Sequence, residues 1–198
     1  TALTVMTGAT SFDLDSTTSC AVDGNKQLYC WGRNAYKTID PSTTIRTFPT
    51  HVEGISGVEQ VAVGGDHICA LVADHQVTCW GLNSKGQLGT GQLDDPNQPQ
   101  PFTIAAVTGV VEVVAARNHT CVRTEGTGTV YCFGEGYTAA PMPITTGAVA
   151  LAAGGSHDCA IVNDGTVRCW GDQLYGQLGN GTDSATRTTT PQLAKLCP

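Results

Sequence analysis

Four segments of the chain share one layout: a cysteine, a short apolar stretch, a polar turn, a second apolar stretch, then cysteine, an aromatic residue and glycine. They are SCAVDGNKQLYCWGRN from Ser19, ICALVADHQVTCWGLN from Ile68, TCVRTEGTGTVYCFGEG from Thr120 and DCAIVNDGTVRCWGDQ from Asp158. A repeat of this kind constrains the fold strongly, because a single copy cannot bury both of its faces and must stack on its neighbours. The second cysteines, Cys30, Cys79, Cys132 and Cys169, follow one another at steps of 49, 53 and 37 residues. Steps in this range are those of propeller blades and comparable modules.

Each segment reads as a β-hairpin. Asn163-Asp164-Gly165 is the clearest turn, since Asp favours turns and Gly accepts a left-handed backbone. Upstream of three segments run GVEQVAVGGDH, GVVEVVAARNH and GAVALAAGGSH, which predict a buried strand ending in a small-residue corner. Downstream of two lie Gly86-Gln87-Leu88-Gly89 and Gly176-Gln177-Leu178-Gly179, whose paired glycines predict a tight connection. The third copy lacks that loop and runs through YTAAPMPI into the fourth, which accounts for the short last step; the first has Lys37-Thr38-Ile39-Asp40 in its place. The expected fold is all-β, a single repeat domain over residues 1–198 with approximate copies at 1–52, 53–104, 105–145 and 146–198. Charged residues at 14% and few of the Lys and Glu that coat exposed helices agree with strands and turns.

The hairpin geometry also pairs the cysteines. Cys20 with Cys30, Cys69 with Cys79 and Cys159 with Cys169 have nine intervening residues, and Cys121 with Cys132 has ten, taken up by the longer turn TEGTGT. That spacing sets each pair side by side on adjacent strands and predicts four disulfides, with buried free thiols as the alternative. Disulfides persist in oxidising compartments, so the expected location is extracellular, cell-surface or periplasmic. Cys197 has no partner in the pattern and reads as a free thiol, an intermolecular bridge or a bond to a portion outside this sequence. Asn118 and Asn180 head glycosylation triplets, Asn180 in the more accessible setting.

The combination GGxHxCAL, a turn, VxCWG, then xN and GQLG resembles the repeat of the regulator of chromosome condensation family, with copies two and four the better matches. The resemblance covers essentially the whole chain and implies a β-propeller of four-stranded blades. Members of that family serve as nucleotide exchange factors on chromatin, as light sensors, as protease or β-lactamase inhibitors and as interaction modules, so it implies no single activity. The family usually carries seven copies, and four leave several arrangements open: part of a longer ring, a small ring, an open arc, or a propeller completed by neighbouring protomers.

Chemistry is sparse. A net charge of −7 with scattered cations argues against nucleic acid and anionic membranes, and no apolar run is long enough to insert in a bilayer. The opening TALTVMTGAT has neither a basic region nor an initiating Met, so the chain reads as processed or excised. No Walker loop or Gly-x-Ser-x-Gly elbow occurs, and no cofactor is expected. His67, His119 and His157 each precede a cysteine by two, yet belong to separate copies, so they read as structural hydrogen-bonders and not as metal ligands. Asp13/Asp15 and Asp94-Asp95 read as solvated loop carboxylates. Trp31, Trp80, Trp170 and Phe133 recur after a strand cysteine, which argues for packing between blades. Variable loop residues Tyr36, Lys85 and Tyr175 are the candidates for contact. The sequence therefore predicts a non-enzymatic extracellular scaffold binding a protein partner, with a self-associating structural subunit of an oligomer, filament or surface layer, or a carbohydrate-binding lectin, as alternatives.

Overall fold

A computed structural model describes residues 6–42, 44–93 and 97–196. Among them, four antiparallel four-stranded sheets follow one another along the chain, each in simple meander order. Blade 1 comprises β1 Ser11–Leu14, β2 Thr18–Val22, β3 Leu28–Gly32 and β4 Arg46–His51. Blade 2 comprises β5 Val58–Val63, β6 His67–Val72, β7 Gln76–Leu82 and β8 Asn97–Thr103. Blade 3 comprises β9 Val110–Ala115, β10 His119–Thr124, β11 Val130–Gly134 and β12 Met142–Thr145. Blade 4 comprises β13 Ala148–Ala153, β14 His157–Val162, β15 Val167–Gln173 and β16 Ser184–Leu193. The fold is all-β and propeller-like, with the first strands β1, β5, β9 and β13 in contact in sequence order.

The reason lies in the two faces of a strand. In blade 2, Ile68 faces Trp80 across the β6–β7 ladder and Cys69 faces Cys79. One face, with Val61, Val63, Ile68, Ala70 and Trp80, joins the core shared with blade 1. The other, with Ala62, Cys69, Leu71, Val77 and Cys79, joins the core shared with blade 3. An inner blade is thus apolar on both faces, which is why β6 is buried at nearly every position. Each aromatic after the second cysteine enters the preceding blade: Trp80 the core of blade 1, Phe133 that of blade 2, and Trp170 that of blade 3. Among the described residues no blade precedes that of Trp31, which stays half-buried.

Four disulfides join Cys20 to Cys30, Cys69 to Cys79, Cys121 to Cys132 and Cys159 to Cys169. Each ties the second and third strands of one blade at directly opposed positions, and none links two blades. The glycine after the aromatic has one cause in every copy. Gly32, Gly81, Gly134 and Gly171 all lie at φ between 106° and 110°, and a Cβ on Gly81 would stand 2.6 Å from the Asp66 carbonyl oxygen. Only glycine allows both the backbone angle and that approach.

Candidate interaction surface

Meander connectivity divides the loops between two rims. The corners from first to second strand and the long loops from third to fourth strand lie at one end of each sheet; the hairpin turns and the links between blades lie at the other. Tyr36, Lys85 and Tyr175 sit in third-to-fourth-strand loops, and Asn118 and Asn180 lie on the same rim, so the sequence-predicted candidates share one surface. Tyr36 is half-buried beneath the Arg33 guanidinium, Lys85 is exposed, and Tyr175 is 87% exposed beside the exposed Leu174.

The backbone of these loops is pinned, while the Lys85 and Tyr175 side chains at their tips stay exposed. Asn83, 1% exposed, accepts the Leu88 N–H at 3.1 Å and donates to the Gln92 carbonyl at 3.1 Å. Asn34 does the same in blade 1, accepting the Ile39 N–H at 2.9 Å and donating to the Ser42 carbonyl at 2.9 Å. Gln87 and Gln177 hold the tips from inside: their Oε1 atoms each accept, at 2.8 Å, the backbone N–H of Lys85 and Tyr175 respectively. Leu88 and Leu178, both fully buried, anchor the same loops in the core. In blade 1, Ile39 fills the place of Leu88, and Lys37 takes the left-handed angle (φ 57°) that Gly86 supplies in blade 2. The asparagine and glutamine anchors were not singled out by sequence reasoning, although their recurrence at fixed distance from the second cysteine marks them.

Where the inner strands converge on this rim, Asp13, Asp15, Arg33, Asp66, Arg117 and Asn118 line a hollow of about 540 Å³. Asp13 lies in strand β1 and not in a loop, because its carboxylate accepts the Val63 N–H at 2.7 Å and stitches blade 1 to blade 2. Arg33 pairs with Asp66 at 2.6 Å. Burial pushes the Asp66 carboxyl up, with Arg33 opposing and Asp15 adding to the rise. The Asn118 amide donates to Glu135 at 2.8 Å and Thr120 of its triplet is fully buried, whereas Asn180 sits half-exposed in an Asx turn with Thr182. Asp94, Asp95 and Cys197 lie outside the described residues.

Two of the recurrent histidines, His67 and His119, act between blades. His67 Nε2 lies 2.8 Å from Thr120 Oγ1 of blade 3, and His119 Nε2 lies 2.8 Å from an Asp158 oxygen of blade 4, which also accepts the Tyr137 hydroxyl at 2.9 Å. Burial beside the Asp158 carboxylate pushes the Tyr137 hydroxyl upward, which keeps it a donor. His119, Cys121 and Asp158 cluster closely enough to suit a metal, but the Cys121 sulfur is held in a disulfide and both His119 and Asp158 are 1% exposed. The group pairs blade 3 with blade 4 at a buried position. No helix among the described residues is long and apolar enough to cross a membrane.

Two family models, each described as the regulator of chromosome condensation (RCC1) repeat, match residues 25–71 and 74–123, and residues 58–87 and 148–177. The E3 ubiquitin-protein ligase HERC2 of Homo sapiens is 30% identical over 187 residues, which cover 84% of this chain and 4% of the ligase. The ultraviolet-B receptor UVR8 of Arabidopsis thaliana is 28% identical over 173 residues, 78% of this chain and 39% of the receptor. Human WBSCR16 superposes with a TM-score of 0.83 at 23% identity, over 95% of this chain and 53% of that one. Yeast RCC1 (Prp20), solved with Kap60 bound, superposes with a TM-score of 0.83 at 19% identity, over 95% of this chain and 49% of its own. The chain therefore spans about half the length of these solved propellers and less of the curated relatives. With the repeat matched through most of its length and four blades of one design, the chain belongs to the regulator of chromosome condensation repeat family.

Proposed function

We infer that this chain is a non-enzymatic extracellular scaffold that binds a protein partner through the rim carrying the third-to-fourth-strand loops. The observation that carries the reading is the contrast within those loops: Asn34, Asn83, Gln87 and Gln177 fix the backbone, while Tyr36, Lys85 and Tyr175 vary at the tips. A loop already ordered before contact loses little conformational freedom on binding, so affinity is set by the tip side chains. The solved complex of yeast RCC1 (Prp20) with Kap60 supports protein binding as a use of this architecture. Four disulfides in one small domain support an oxidising compartment.

The test is photo-crosslinking from single positions on the two rims, in medium or on cells of the source. Crosslinks to one protein from Tyr36, Lys85 or Tyr175, and none from the hairpin-turn positions Asn25 and Asp164, are expected. Equal labelling from both rims would sink the reading. Intact mass of protein from the native source checks the compartment: a fully reduced chain excludes it.

A further inference from the structure

Two triplets of the chain have the pattern of a glycan acceptor, Asn118-His119-Thr120 and Asn180-Gly181-Thr182, and the fold treats them in opposite ways. At the first, every member is committed. The Asn118 side-chain amide donates to Glu135 at 2.8 Å, and the Asn118 carbonyl accepts the Glu135 N–H at 2.9 Å. His119 is buried against Asp158 of the next blade. The Thr120 hydroxyl, wholly buried, donates to the Gln87 carbonyl at 3.0 Å. A sugar on Asn118 would have to pull its amide away from Glu135 at a corner where two blades meet.

The second triplet is open. Asn180 Oδ1 accepts the Thr182 N–H at 3.0 Å and the Thr182 hydroxyl at 2.8 Å, an Asx turn that engages the amide oxygen twice. The amide nitrogen Nδ2 has no hydrogen-bond partner among the described residues. Asn180 is half-exposed, and Gly181 and Thr182 are exposed. The atom that would take a sugar is thus the free one.

This exposure belongs to the loop and not to the edge of the arc. Blade 2 has a blade on each side and carries Thr90 in the place of Asn180, eleven residues after the second cysteine of its copy. Thr90 is half-exposed as well, and Gly91 and Gln92 after it are exposed. Thr90 makes the same turn, its Oγ1 accepting the Gln92 N–H at 3.2 Å, but it also accepts the Asn83 amide at 3.2 Å. In blade 4 Gln173 stands in the place of Asn83 and gives its amide to the Thr186 carbonyl at 2.9 Å, so nothing draws Asn180 inward. The backbone beneath stays fixed, with Leu178 buried and the Gly179 carbonyl accepting the Lys195 N–H at 2.8 Å.

We propose that Asn180 carries an N-linked glycan and that Asn118 does not. The proposal rests on the extracellular reading above, because the donor, a lipid-linked diphosphate oligosaccharide, is met on the secretory route. In the transfer Asn180 Nδ2 bonds to the anomeric carbon of the first sugar. The C–O bond to the diphosphate breaks with its electron pair leaving on the phosphate oxygen, and one amide proton passes to a base of the transferase.

Peptide mass mapping of the chain purified from its native host, before and after an amidase that releases N-glycans, tests this. A glycan on the Asn180 peptide and none on the Asn118 peptide is expected. Thr182→Ala changes an exposed position and should lose the glycan with all four disulfides intact. Thr182→Ser should keep it, and Asn118→Gln should leave its amount unchanged. Disulfide mapping on the same sample separates the proposal from the reading it rests on. A bare Asn180 in a chain with its disulfides formed overturns the glycan alone, and a bare Asn180 in a fully reduced chain overturns both. Occupancy of Asn118 equal to that of Asn180 also overturns the proposal, since the geometry of the two triplets would then select nothing.

Discussion

At the scale of single residues, His67 and Gly81 show how tightly the blade interfaces are determined. The Thr120 hydroxyl donates to the Gln87 carbonyl at 3.0 Å, so its lone pair receives the His67 Nε2–H, and His67 Nδ1 is left buried with no partner among the described residues. Burial, with His119 close by, pulls His67 down to about 3 from its ordinary 6.5. The folded-state value is depressed, so the unfolded chain takes up a proton between these values that the folded chain refuses. The stability from neutral His67 is complete above pH 6.5 and is lost as pH falls toward 3, at a slope approaching about 1.4 kcal/mol per pH unit. Urea unfolding from pH 6.5 downward should show that slope reduced in His67→Gln by one proton's worth; equal slopes refute it. Gly81→Ala should cost about 2 kcal/mol or more in the same assay, because the added Cβ meets the Asp66 carbonyl from a left-handed backbone.

At the scale of elements, the aromatic plug is one sequence feature with three local outcomes. Trp80 donates to the Thr38 carbonyl. In blade 3 Phe133 has no N–H, and the equivalent Gln87 carbonyl takes the Thr120 hydroxyl instead. The third copy lacks the loop that would offer such a carbonyl, and Trp170 Nε1 is buried without a partner among the described residues. Trp80→Phe should therefore cost about 1–2 kcal/mol beyond lost packing, since the Thr38 carbonyl is orphaned, while Trp170→Phe should be neutral or stabilising. Paired denaturant melts decide it, and equal losses would reject the distinction. The hairpins and the cysteine pairing were legible in the sequence because a ladder sets opposed residues at fixed spacing, and the repeat supplied four readings of it. Packing of the recurrent aromatics between blades was legible too, but the particular groups that each copy meets in its neighbour were not. The partners of His67, His119 and Trp80 lie in other blades, dozens of residues away, and Asp13 looked like a loop carboxylate because its acceptor role depends on a strand from blade 2.

At the scale of the whole molecule, the question is how the four blades share stability. Among the described residues every disulfide lies within one blade, so there no covalent tie beyond the main chain holds one blade to another. Cohesion between blades rests on the three apolar cores and on side-chain bridges such as Gln60 to Val113. Blades 2 and 3 are covered on both faces and blades 1 and 4 on one, as expected for a stack whose stability is a sum of nearest-neighbour terms. An end blade can then open with its disulfide-tied hairpin intact while the inner pair stays closed. Native-state hydrogen exchange on dilute protein should find the slowest amides in β6, β7 and β10, and faster exchange in β2 and β15 although those strands carry disulfides of the same kind. Uniform exchange across all four blades would mean that the chain opens only as a single unit, contrary to a stack whose stability is a sum of nearest-neighbour terms.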